Sequence, residues 1–428
     1  MAAAAFRTGA ACAREMDAQD PLAGFRDRFH IPESSAGGEA VYLCGNSLGL
    51  QPKATAEYVA AELDSWARRA VRGHFEGDFP WLPYHEFLAP DLAALVGGEA
   101  GEVVAMNTLT VNLHLAMVSF YRPTPSRHRI LIEKGAFPSD HYAVESQIRF
   151  HGYDPVEALR LLAPREGEES IRDDDILETI AREGDGIALI LLPGVQYYTG
   201  QVFDMAAIAQ AGHEKGCVVG FDLAHAAGNI PLRLHDWDAD FAVWCSYKYL
   251  NSGPGSVGGC FVHARHGQNA ALPRFAGWWG QDKARRFEMT PRFAPIPGAE
   301  GWQLSNPPIL SLAAIRASLD VFREVGYMAP LREKSVRLTG YLAWLLREEL
   351  GGAVRIVTPD DPEKRGCQLS LKMAGGGGKA LFERLEADGV YCDWREPDAI
   401  RVAPAPLYNG YRDCHRFVET LKTLLAGP

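Results

Sequence analysis

The sequence lacks long apolar runs, clustered cysteines and an excess of basic residues. No apolar run approaches the roughly 20 residues that a membrane-spanning helix needs, so we expect no membrane partner. The formal net charge of -11 argues against general nucleic-acid binding, because nucleic acids are themselves negatively charged. The eight cysteines are scattered, with no CxxC and no metal-ligand spacing. We therefore expect no disulfide framework, no metal site and a reducing, cytoplasmic location.

The chain is long enough to bury a large core and to form two or more domains. Its 428 residues are 47% hydrophobic and 23% charged, as in an ordinary globular protein. The alanine-rich start through Ala5 is too short for the core of a signal peptide, and Arg7 and Arg14 follow it. We expect the first ~20 residues to form an arm that is frayed or packed against a partner.

Apolar strand-like segments alternate with helical ones between residues 101 and 262. The alternation predicts an α/β fold with a mostly parallel sheet covered by helices on both faces. From about residue 311, long helical segments precede short strands, which indicates a smaller α+β unit. We therefore predict an N-terminal arm at 1–55 that contributes to the small domain, a large domain at 56–320 and a C-terminal small domain at 321–428.

Hydrophobic periodicity predicts the individual elements. A helix opening at Pro52 runs through Ala70, with Val59, Leu63 and Trp66 at helical spacing. The other predicted helices cover 110–120, 139–149, 173–183, 204–215, 311–322, 331–350, 379–388 and the segment from 411. The predicted strands cover 101–107, 129–133, 187–192, 217–221, 241–245, 259–262, 354–357 and 368–372, with short strands near 390 and 400.

Lys248 is the residue least in keeping with its surroundings, because it ends the apolar run that begins at Phe241. Asp222 and His225 follow another apolar run, and ligands of open α/β sheets bind where parallel strands end. A lysine amine can hold the aldehyde of pyridoxal phosphate covalently, and a carboxylate can face its protonated ring nitrogen. Read separately, Lys248 could be a surface lysine, Asp222 a turn residue and His225 a core histidine.

Two glycine patterns resemble nucleotide-binding loops but occur in the wrong context. The GxGxxG pattern at 253–258 leads into the predicted strand 259–262, whereas a dinucleotide site needs a helix there. At 378–379 a Gly-Lys pair precedes Ala380, where a P-loop needs serine or threonine. Both patterns therefore argue against a nucleotide site.

Three further residues have two possible roles each. Thr110 begins a predicted helix, where it could contact a phosphate or simply cap the helix. Phe137 could stack on a flat ring or pack in the core. Asp140 could be a second carboxylate near that ring, or a helix cap.

Taken together, these residues lie within segments that resemble kynureninases, which are fold-type-I pyridoxal-phosphate enzymes. The resemblance extends in order over nearly the whole chain and implies a fold-type-I PLP-dependent transferase fold. The matching segments are GNSLGLQPK at 45–53, NTLTVNLH at 107–114, FPSDHYA at 137–143, GVQYYTGQ at 194–201, GFDLAHAAGN at 220–229, HDWDADFAVWCSYKYLN at 235–251, GWWG at 277–280, SNPP at 305–308 and RVAPAPLYN at 401–409.

The resemblance implies that Lys248 would hold the cofactor, that Asp222 would face its ring nitrogen, and that Tyr247 would contact the phosphate region. We hypothesise in addition that Tyr247 is the general acid that protonates the carbon released by the bond cleavage. Arg401 would hold the substrate's α-carboxylate through a bidentate pair. The implied cofactor-binding residues are Leu109, Thr110, Phe137, Pro138, Ser139, Asp140, Asp222, His225, Tyr247, Lys248, Trp278 and Asn306. The implied substrate-binding residues are Arg401, Ser47, His74, Ser305 and Asn306.

Members of this family form homodimers with shared active sites, so a second copy of this chain is an expected partner. The family reaction hydrolyses the Cβ–Cγ bond of L-kynurenine or 3-hydroxy-L-kynurenine, in tryptophan degradation and on the route to NAD. His74, Ser305 and Asn306 resemble the animal-like branch that prefers the 3-hydroxy substrate. The chain departs from its relatives at Pro193, where they carry a hydroxyl residue, and at Gln281, where the animal-type pattern has histidine.

Two other interpretations remain open. Another fold-type-I enzyme, such as an aminotransferase or a cysteine desulfurase-like lyase, would share the lysine and the aspartate. A desulfurase needs a reactive cysteine, and Cys367 beside Arg365 is the nearest candidate. A non-catalytic relative that acts as a binding or regulatory partner is the other interpretation. The intact set of Lys248, Asp222, Tyr247 and Arg401 argues against it.

Overall fold

A computed structural model of the chain describes residues 6–35 and 37–427. The alanine-rich start through Ala5, with its predicted lack of a signal core, lies outside these residues. The helices are α1 (Ala10–Ala18), α2 (Thr55–Arg69), α3 (Ala89–Val96), α4 (Leu109–Phe120), α5 (Pro138–Phe150), α6 (Pro155–Ala158), α7 (Asp173–Glu183), α8 (Met205–Glu214), α9 (Ala264–Gly267), α10 (Ile309–Val325), α11 (Met328–Leu350), α12 (Gly378–Ala387) and α13 (Tyr411–Ala426). The strands are β1 (Val41–Tyr42), β2 (Val103–Ala105), β3 (Arg129–Glu133), β4 (Leu159–Leu162), β5 (Ile187–Pro193), β6 (Val218–Asp222), β7 (Phe241–Trp244), β8 (Gly259–Val262), β9 (Val354–Ile356), β10 (Leu369–Met373), β11 (Val390–Tyr391), β12 (Asp393–Arg395) and β13 (Ala399–Val402).

The central sheet of the described chain has seven strands in the order β2-β8-β7-β6-β5-β3-β4. Strands β4, β3, β5, β6 and β7 run parallel, while β8 is antiparallel to both β7 and β2. Because the inner strands are apolar on both faces, helices must cover both sides of the sheet. The predicted α/β fold with a mostly parallel sheet is therefore confirmed.

The buried apolar residues of the described chain form three main cores. Two of them lie on opposite faces of the central sheet: one includes Leu192 of β5 and Phe221 of β6, and the other includes Val243 of β7. The third gathers apolar residues of α11, β10, β13 and α13 around Leu342 and Phe417. A separate sheet in the order β12-β13-β10-β9 belongs to this third core. The division at 1–55, 56–320 and 321–428 agrees with a third core built around C-terminal elements but stays a prediction.

The N-terminal arm is packed on its own chain from residue 6 onward, so the expectation of a frayed arm is wrong there, and the alternative of an arm packed against a partner stays a prediction. The Asp17 carboxylate accepts hydrogen bonds from Tyr411 N at 2.6 Å and Arg412 Nε at 2.8 Å, at the start of α13. The ring of Phe6 lies edge-on to Tyr341 at 5.4 Å. Helix α1 itself was not predicted, because its short apolar pattern is weak.

Helix α2 forms close to its predicted place, but part of its apolar face is exposed. Leu63 is 44% and Trp66 62% exposed. The buried side chain of Glu62 accepts instead from Trp81 Nε1 and Tyr84 Oη, both at 2.9 Å. The helical spacing of apolar residues thus predicted helix α2, but it did not predict which side chains of the helix are buried.

Across residues 6–35 and 37–427, no helix combines the length and apolar composition that crossing a bilayer would require.

Candidate active site

The carboxyl ends of three neighbouring parallel strands place Glu133, Pro193 and Asp222 side by side. Strand β7 ends at Trp244, and the turn after it carries Tyr247 and Lys248. These ends surround one cavity at the edge of the sheet where ligands of α/β proteins bind. Its lining residues are Leu109, Thr110, Glu133, Phe137, Ser139, Asp140, Pro193, Val195, Tyr197, Asp222, Ala224, His225, Tyr247 and Lys248.

The Lys248 amine lies inside this cavity in contact with His225. Its Nζ is 3.0 Å from His225 Nε2 and 5.8 Å from the centre of the Phe137 ring. Burial, and then the charge of Lys248, hold the pKa of His225 well below its usual range. The imidazole is therefore neutral at physiological pH, and its Nε2 lies within hydrogen-bonding distance of the Lys248 amine.

Three buried carboxyl groups face this single amine. Asp222, Asp140 and Glu133 are each less than a tenth exposed. Burial first, and then the charge of Asp222, raise the pKa of Asp140 well above its usual range. Burial and the same charge raise the pKa of Glu133 to about 8. Asp140 and Glu133 therefore keep their protons to higher pH than ordinary carboxyl groups do.

This acidic end fits the ring of pyridoxal phosphate. Asp222 Oδ1 accepts from Ala224 N at 2.6 Å, which fixes the carboxylate at the end of β6. Asp140 Oδ1 is a buried acceptor with no hydrogen-bond partner within the described chain. A protonated pyridine nitrogen is the kind of donor that such carboxylates favour, since an unpartnered buried acceptor is costly.

The opposite end of the cavity fits a phosphate group. Thr110 Oγ1 and Ser139 Oγ are 2.8 Å apart, and they lie in the first turns of α4 and α5. Neither helix receives a side-chain hydrogen bond from its N-cap residue. Free amide N–H groups and two hydroxyls are thus available to an anion. Pro138 is the first residue of α5 and does not itself line the cavity.

Phe137 and Tyr247 border the cavity in different ways. Phe137 is 43% exposed and lies edge-on to Tyr197, with 5.3 Å between ring centres. Tyr247 is half-buried, and burial followed by the neighbouring Cys245 raises the pKa of its phenol. The phenol therefore remains protonated at neutral pH, which is the state that a general acid needs.

Arg401 and Ser47 meet beyond Tyr197, in a group of side chains that also includes an acid. The Arg401 guanidinium is almost fully buried and donates to Tyr197 O at 2.6 Å. It also forms an ion pair with Asp393, and its Nη2 lies 3.4 Å from Ser47 Oγ. Sequence analysis missed Asp393, because only the register of β12 with β13 brings it opposite Arg401.

The remaining predicted site residues are not among those that line the cavity of the described chain. Trp278 is 42% exposed and donates from Nε1 to Arg286 O at 3.1 Å. His74 lies edge-on to Trp81, with 5.2 Å between ring centres. Ser305 and Asn306 are exposed. One protomer thus does not bring these four residues to Lys248, and their roles stay predictions.

The two departures from the family pattern have different settings. Pro193 ends β5 beside Asp222 and lines the cavity without a side-chain hydrogen-bonding group. Gln281 is buried away from the cavity, where it accepts from Ala294 N at 2.7 Å and donates to Arg292 O at 3.3 Å. Gln281 therefore holds its own loop together.

Cys367, the nearest candidate for the reactive cysteine of a desulfurase, does not have the setting that this role needs. Cys367 is 1% exposed, and burial raises the pKa of its thiol to about 12. The neighbouring Arg365 donates to backbone carbonyls, including Pro359 O at 3.0 Å, and offers no exposed cation to a thiolate. Cys367 is thus an inert core residue and not a nucleophile.

Solved structures similar to this chain share its fold at low sequence identity. The apo cysteine desulfurase of Thermococcus onnurineus NA1 has a TM-score of 0.74 at 15% identity, with 99% of this chain and 100% of that chain covered. A complex of the cystine C–S lyase C-DES with cysteine persulfide has a TM-score of 0.75 at 16% identity, covering 89% and 97%. At such identities the likeness shows the fold alone.

Relatives of known family are much more similar in sequence. The family model described as the kynureninase C-terminal domain matches residues 331–421. The kynureninase of Koribacter versatilis is 59% identical over 98% of this chain and 98% of its own length. That of Myxococcus xanthus is 60% identical over 97% of both chains. The resemblance noted in the sequence is therefore confirmed, and the chain belongs to the kynureninase family.

Proposed function

We propose that this chain holds pyridoxal phosphate on Lys248 and hydrolyses the Cβ–Cγ bond of L-kynurenine or 3-hydroxy-L-kynurenine in tryptophan degradation. Near-full-length identity to proteins named kynureninase supports the reaction. The observation that supports this cavity as the site of the reaction is the contact between Lys248 Nζ and His225 Nε2 at 3.0 Å, beside buried Asp140 and Asp222. The products are L-alanine and anthranilate or 3-hydroxyanthranilate.

Each of three side chains has one task in this proposal. When bound, pyridoxal phosphate supplies a sink for the electron pair released at the substrate's α-carbon. Asp222 offers its carboxylate to the ring nitrogen, and Arg401 binds the substrate's α-carboxylate. Lys248 carries the α-proton, because a primary amine beside a neutral histidine can both accept and return a proton.

The hydrolysis itself needs one water and one acid. The oxygen of water is added to the γ-carbonyl carbon, which leaves as the carboxylate of the aromatic product. The Cβ–Cγ bond breaks, and Cβ takes up a proton to become the methyl group of alanine. We assign that proton to the Tyr247 phenol, which the raised pKa keeps protonated.

The test is a direct assay of the purified chain. With added pyridoxal phosphate the protein becomes yellow, borohydride bleaches it, and kynurenine yields anthranilate and alanine in equal amounts. Lys248→Ala is expected to abolish both the borohydride-fixed linkage, seen as a mass increase of the intact chain, and turnover. A chain that takes up cofactor but releases neither anthranilate from kynurenine nor 3-hydroxyanthranilate from 3-hydroxykynurenine would overturn the proposal.

The preferred substrate is the 3-hydroxy form in this proposal. His74, Ser305 and Asn306 would supply polar groups around the extra phenolic hydroxyl, and a buried donor left without a partner costs about 1–3 kcal/mol. The kcat/KM values of the two substrates, measured side by side, decide the preference. About tenfold higher kcat/KM for kynurenine contradicts it, since that ratio corresponds to roughly 1.4 kcal/mol in the opposite direction.

The active enzyme is a homodimer with shared sites in this proposal. Trp278, Ser305 and Asn306 are exposed in one protomer, as residues that complete a partner's site would be. Large apolar side chains are also exposed nearby in sequence, including Phe275 at 55% and Phe287 at 56%. Exposed apolar surface of this kind marks an interaction site.

Mixing two inactive variants tests the shared site. Lys248→Ala and Asn306→Ala are each inactive or nearly so, but a hybrid dimer has one site in which both residues are intact. Random reassociation should then restore roughly a quarter of the wild-type activity. If each protomer carries its whole site, mixing restores nothing. Lys248→Ala mixed with itself is the control.

A cytoplasmic location is also part of the proposal. All eight cysteines are free, and Cys217 and Cys260 are among those that are buried as apolar residues. Such usage is typical of a reducing compartment. Fractionation of the producing cells, with the activity followed in each fraction, checks it.

A further inference from the structure

Arg395 lies beside Arg401, and the two guanidinium groups share one acid. Strand β12 is antiparallel to β13, and their register places Asp393 opposite Arg401. Asp393 Oδ2 accepts from Arg395 Nη2 at 3.1 Å and also from Arg401 Nη2. Two cations against one carboxylate leave a net positive charge in a largely buried place.

Both arginines still have unused donors. The Nε atoms of Arg401 and Arg395 are buried and have no hydrogen-bond partner within the described chain. Arg401 is almost wholly enclosed, whereas the Arg395 side chain is 37% exposed. Because unpartnered buried donors are costly, the pair is suited to a ligand with anionic oxygens.

The positive charge of this pair extends to the cavity around Lys248. Arg401 donates to Tyr197 O at 2.6 Å, and Tyr197 lines that cavity. After burial and the charge of Lys248, the charges of Arg401 and Arg395 are the further causes that lower the pKa of His225. The two guanidinium groups thus lie behind Tyr197, and their charge acts on His225 inside the cavity.

Ser47 joins the two arginines to the glycine-rich turn at 45–49. Its Oγ donates to Asp393 Oδ2 and lies 3.4 Å from Arg401 Nη2 and 3.5 Å from Arg395 Nη2. Both guanidinium groups are thus held by the same hydroxyl and the same carboxylate. Asp393 and Ser47 fix their spacing before any ligand arrives.

We propose that Arg395 is a second binding residue for the substrate's α-carboxylate, acting with Arg401, and that Asp393 is the positioning residue that holds the two guanidinium groups together. The inference rests on the proposed function for the identity of the substrate. Arginine suits this position because its planar fork supplies several donors to a carboxylate while another of its N–H groups stays bonded to Asp393.

Arg395→Gln should raise KM for the kynurenine substrates by roughly 10- to 100-fold, as expected for losing a hydrogen bond to a charged group, with a much smaller change in kcat. Arg355→Gln is the matched control. Arg355 lies on β9 of the same sheet and forms an exposed ion pair with Glu169 at 2.6 Å. That variant should keep the wild-type KM.

Equilibrium binding separates a contact with the carboxylate from a general loss of structure. L-Alanine and its neutral amide, L-alaninamide, are titrated calorimetrically into the holoenzyme and its variants. Arg395→Gln should weaken L-alanine binding by a factor similar to the rise in KM and leave L-alaninamide binding unchanged. The melting temperature of each variant is recorded alongside.

The inference is overturned if Arg395→Gln lowers the affinity for L-alanine and L-alaninamide equally, or if it leaves the affinity for L-alanine unchanged. These titrations do not depend on turnover, so they decide the role of Arg395 even if the chain fails to cleave kynurenine. Failure of the proposed function would appear separately, as a wild-type holoenzyme that releases neither anthranilate nor 3-hydroxyanthranilate from the corresponding substrates.

Discussion

Tyr247 combines a protonated phenol with a place beside the Lys248 amine. The amine lies 6.0 Å from the centre of the tyrosine ring. We expect Tyr247→Phe to lower kcat by roughly 100- to 10,000-fold with little change in KM, because the lost group acts on a proton and not on substrate affinity. Steady-state kinetics with kynurenine measures this. Tyr142→Phe, at a tyrosine that is 70% exposed on α5, is the control. If Tyr247→Phe turns over kynurenine as fast as the wild type, Tyr247 is not the general acid.

Glu133 is a buried acid whose protonation should affect the stability of the apoprotein. Its folded pKa of about 8 lies above the ordinary value of 4.5, first through burial and then through Asp222. A raised folded pKa means that the stabilising contribution is fully present below pH 4.5 and is lost as the pH rises towards 8. We expect Glu133→Gln to lose this dependence and to gain stability relative to wild type across that window.

Urea unfolding of apo wild type and Glu133→Gln at several pH values measures the effect. The difference in unfolding free energy should grow with pH by at least about 1 kcal/mol, since each pKa unit corresponds to roughly 1.4 kcal/mol. Glu168→Gln, at an acid on the surface, is a suitable control. A difference that stays constant with pH would show that Glu133 is ionised in the folded apoprotein.

The site residues that could be predicted from the sequence lie at the ends of apolar runs, and those that could not be predicted do not. Lys248 and Asp222 were found because each ends an apolar run, and the parallel sheet brings such ends together. Glu133 obeys the same rule at the end of β3 and could have been found by it. Arg395 and Asp393 could not have been predicted in this way. Their contacts with Arg401 depend on the register of the antiparallel strands β12 and β13, which the sequence does not specify.

At the scale of elements, the glycine-rich turn at 45–49 supports the turn that carries Lys248. Gly49 N donates to Tyr247 O at 2.8 Å. A Cβ at Gly49 would lie 2.2 Å from Lys248 O and 2.8 Å from Asn251 Cα. Because both neighbours are backbone atoms, a side chain there must push the two turns apart.

We expect Gly49→Ala to lower the unfolding free energy by about 1–3 kcal/mol, as overpacking does, and to reduce kcat by displacing the amine. Thermal unfolding and steady-state kinetics of the holoenzyme measure the two effects. Gly24→Ala is the control, since a Cβ at Gly24 meets no atom within 4 Å. An active, equally stable Gly49→Ala would show that the turns are not coupled.

Most elements were predictable because their apolar residues recur with the period of the structure they form. Strands β3, β5 and β6 are continuous apolar runs, as expected of parallel strands with both faces covered. Helix α2 shows the limit of this signal. Its apolar periodicity predicted a helix, but the same periodicity gave no indication that Trp66 is exposed while Glu62 is buried.

At the scale of the whole molecule, the outward apolar face of α2 continues into the next turn. Leu63 and Trp66 are followed by Val71 at 71% exposure and Phe75 at 63%, beside the predicted substrate residue His74. A protein that remained a monomer would rarely keep such a face in water. We expect a second copy of the chain to cover this face, because His74 does not line the cavity around its own Lys248 and could instead contribute to the cavity of the partner.

Trp66→Lys should therefore weaken the proposed dimer, because it introduces a charge where, in that dimer, an apolar side chain would be buried against the partner. Buried interface tryptophans are often worth about 2 kcal/mol or more, so we expect the dimer dissociation constant to rise at least roughly 30-fold. Analytical ultracentrifugation over a concentration series measures it, and activity should fall in parallel as the shared sites separate. Val156→Lys is the control, since Val156 is 88% exposed on α6, next to the β4 edge of the sheet. If Trp66→Lys leaves sedimentation and activity unchanged at every concentration, this face is not the dimer interface. The proposal that His74 contributes to the partner's cavity is then contradicted as well.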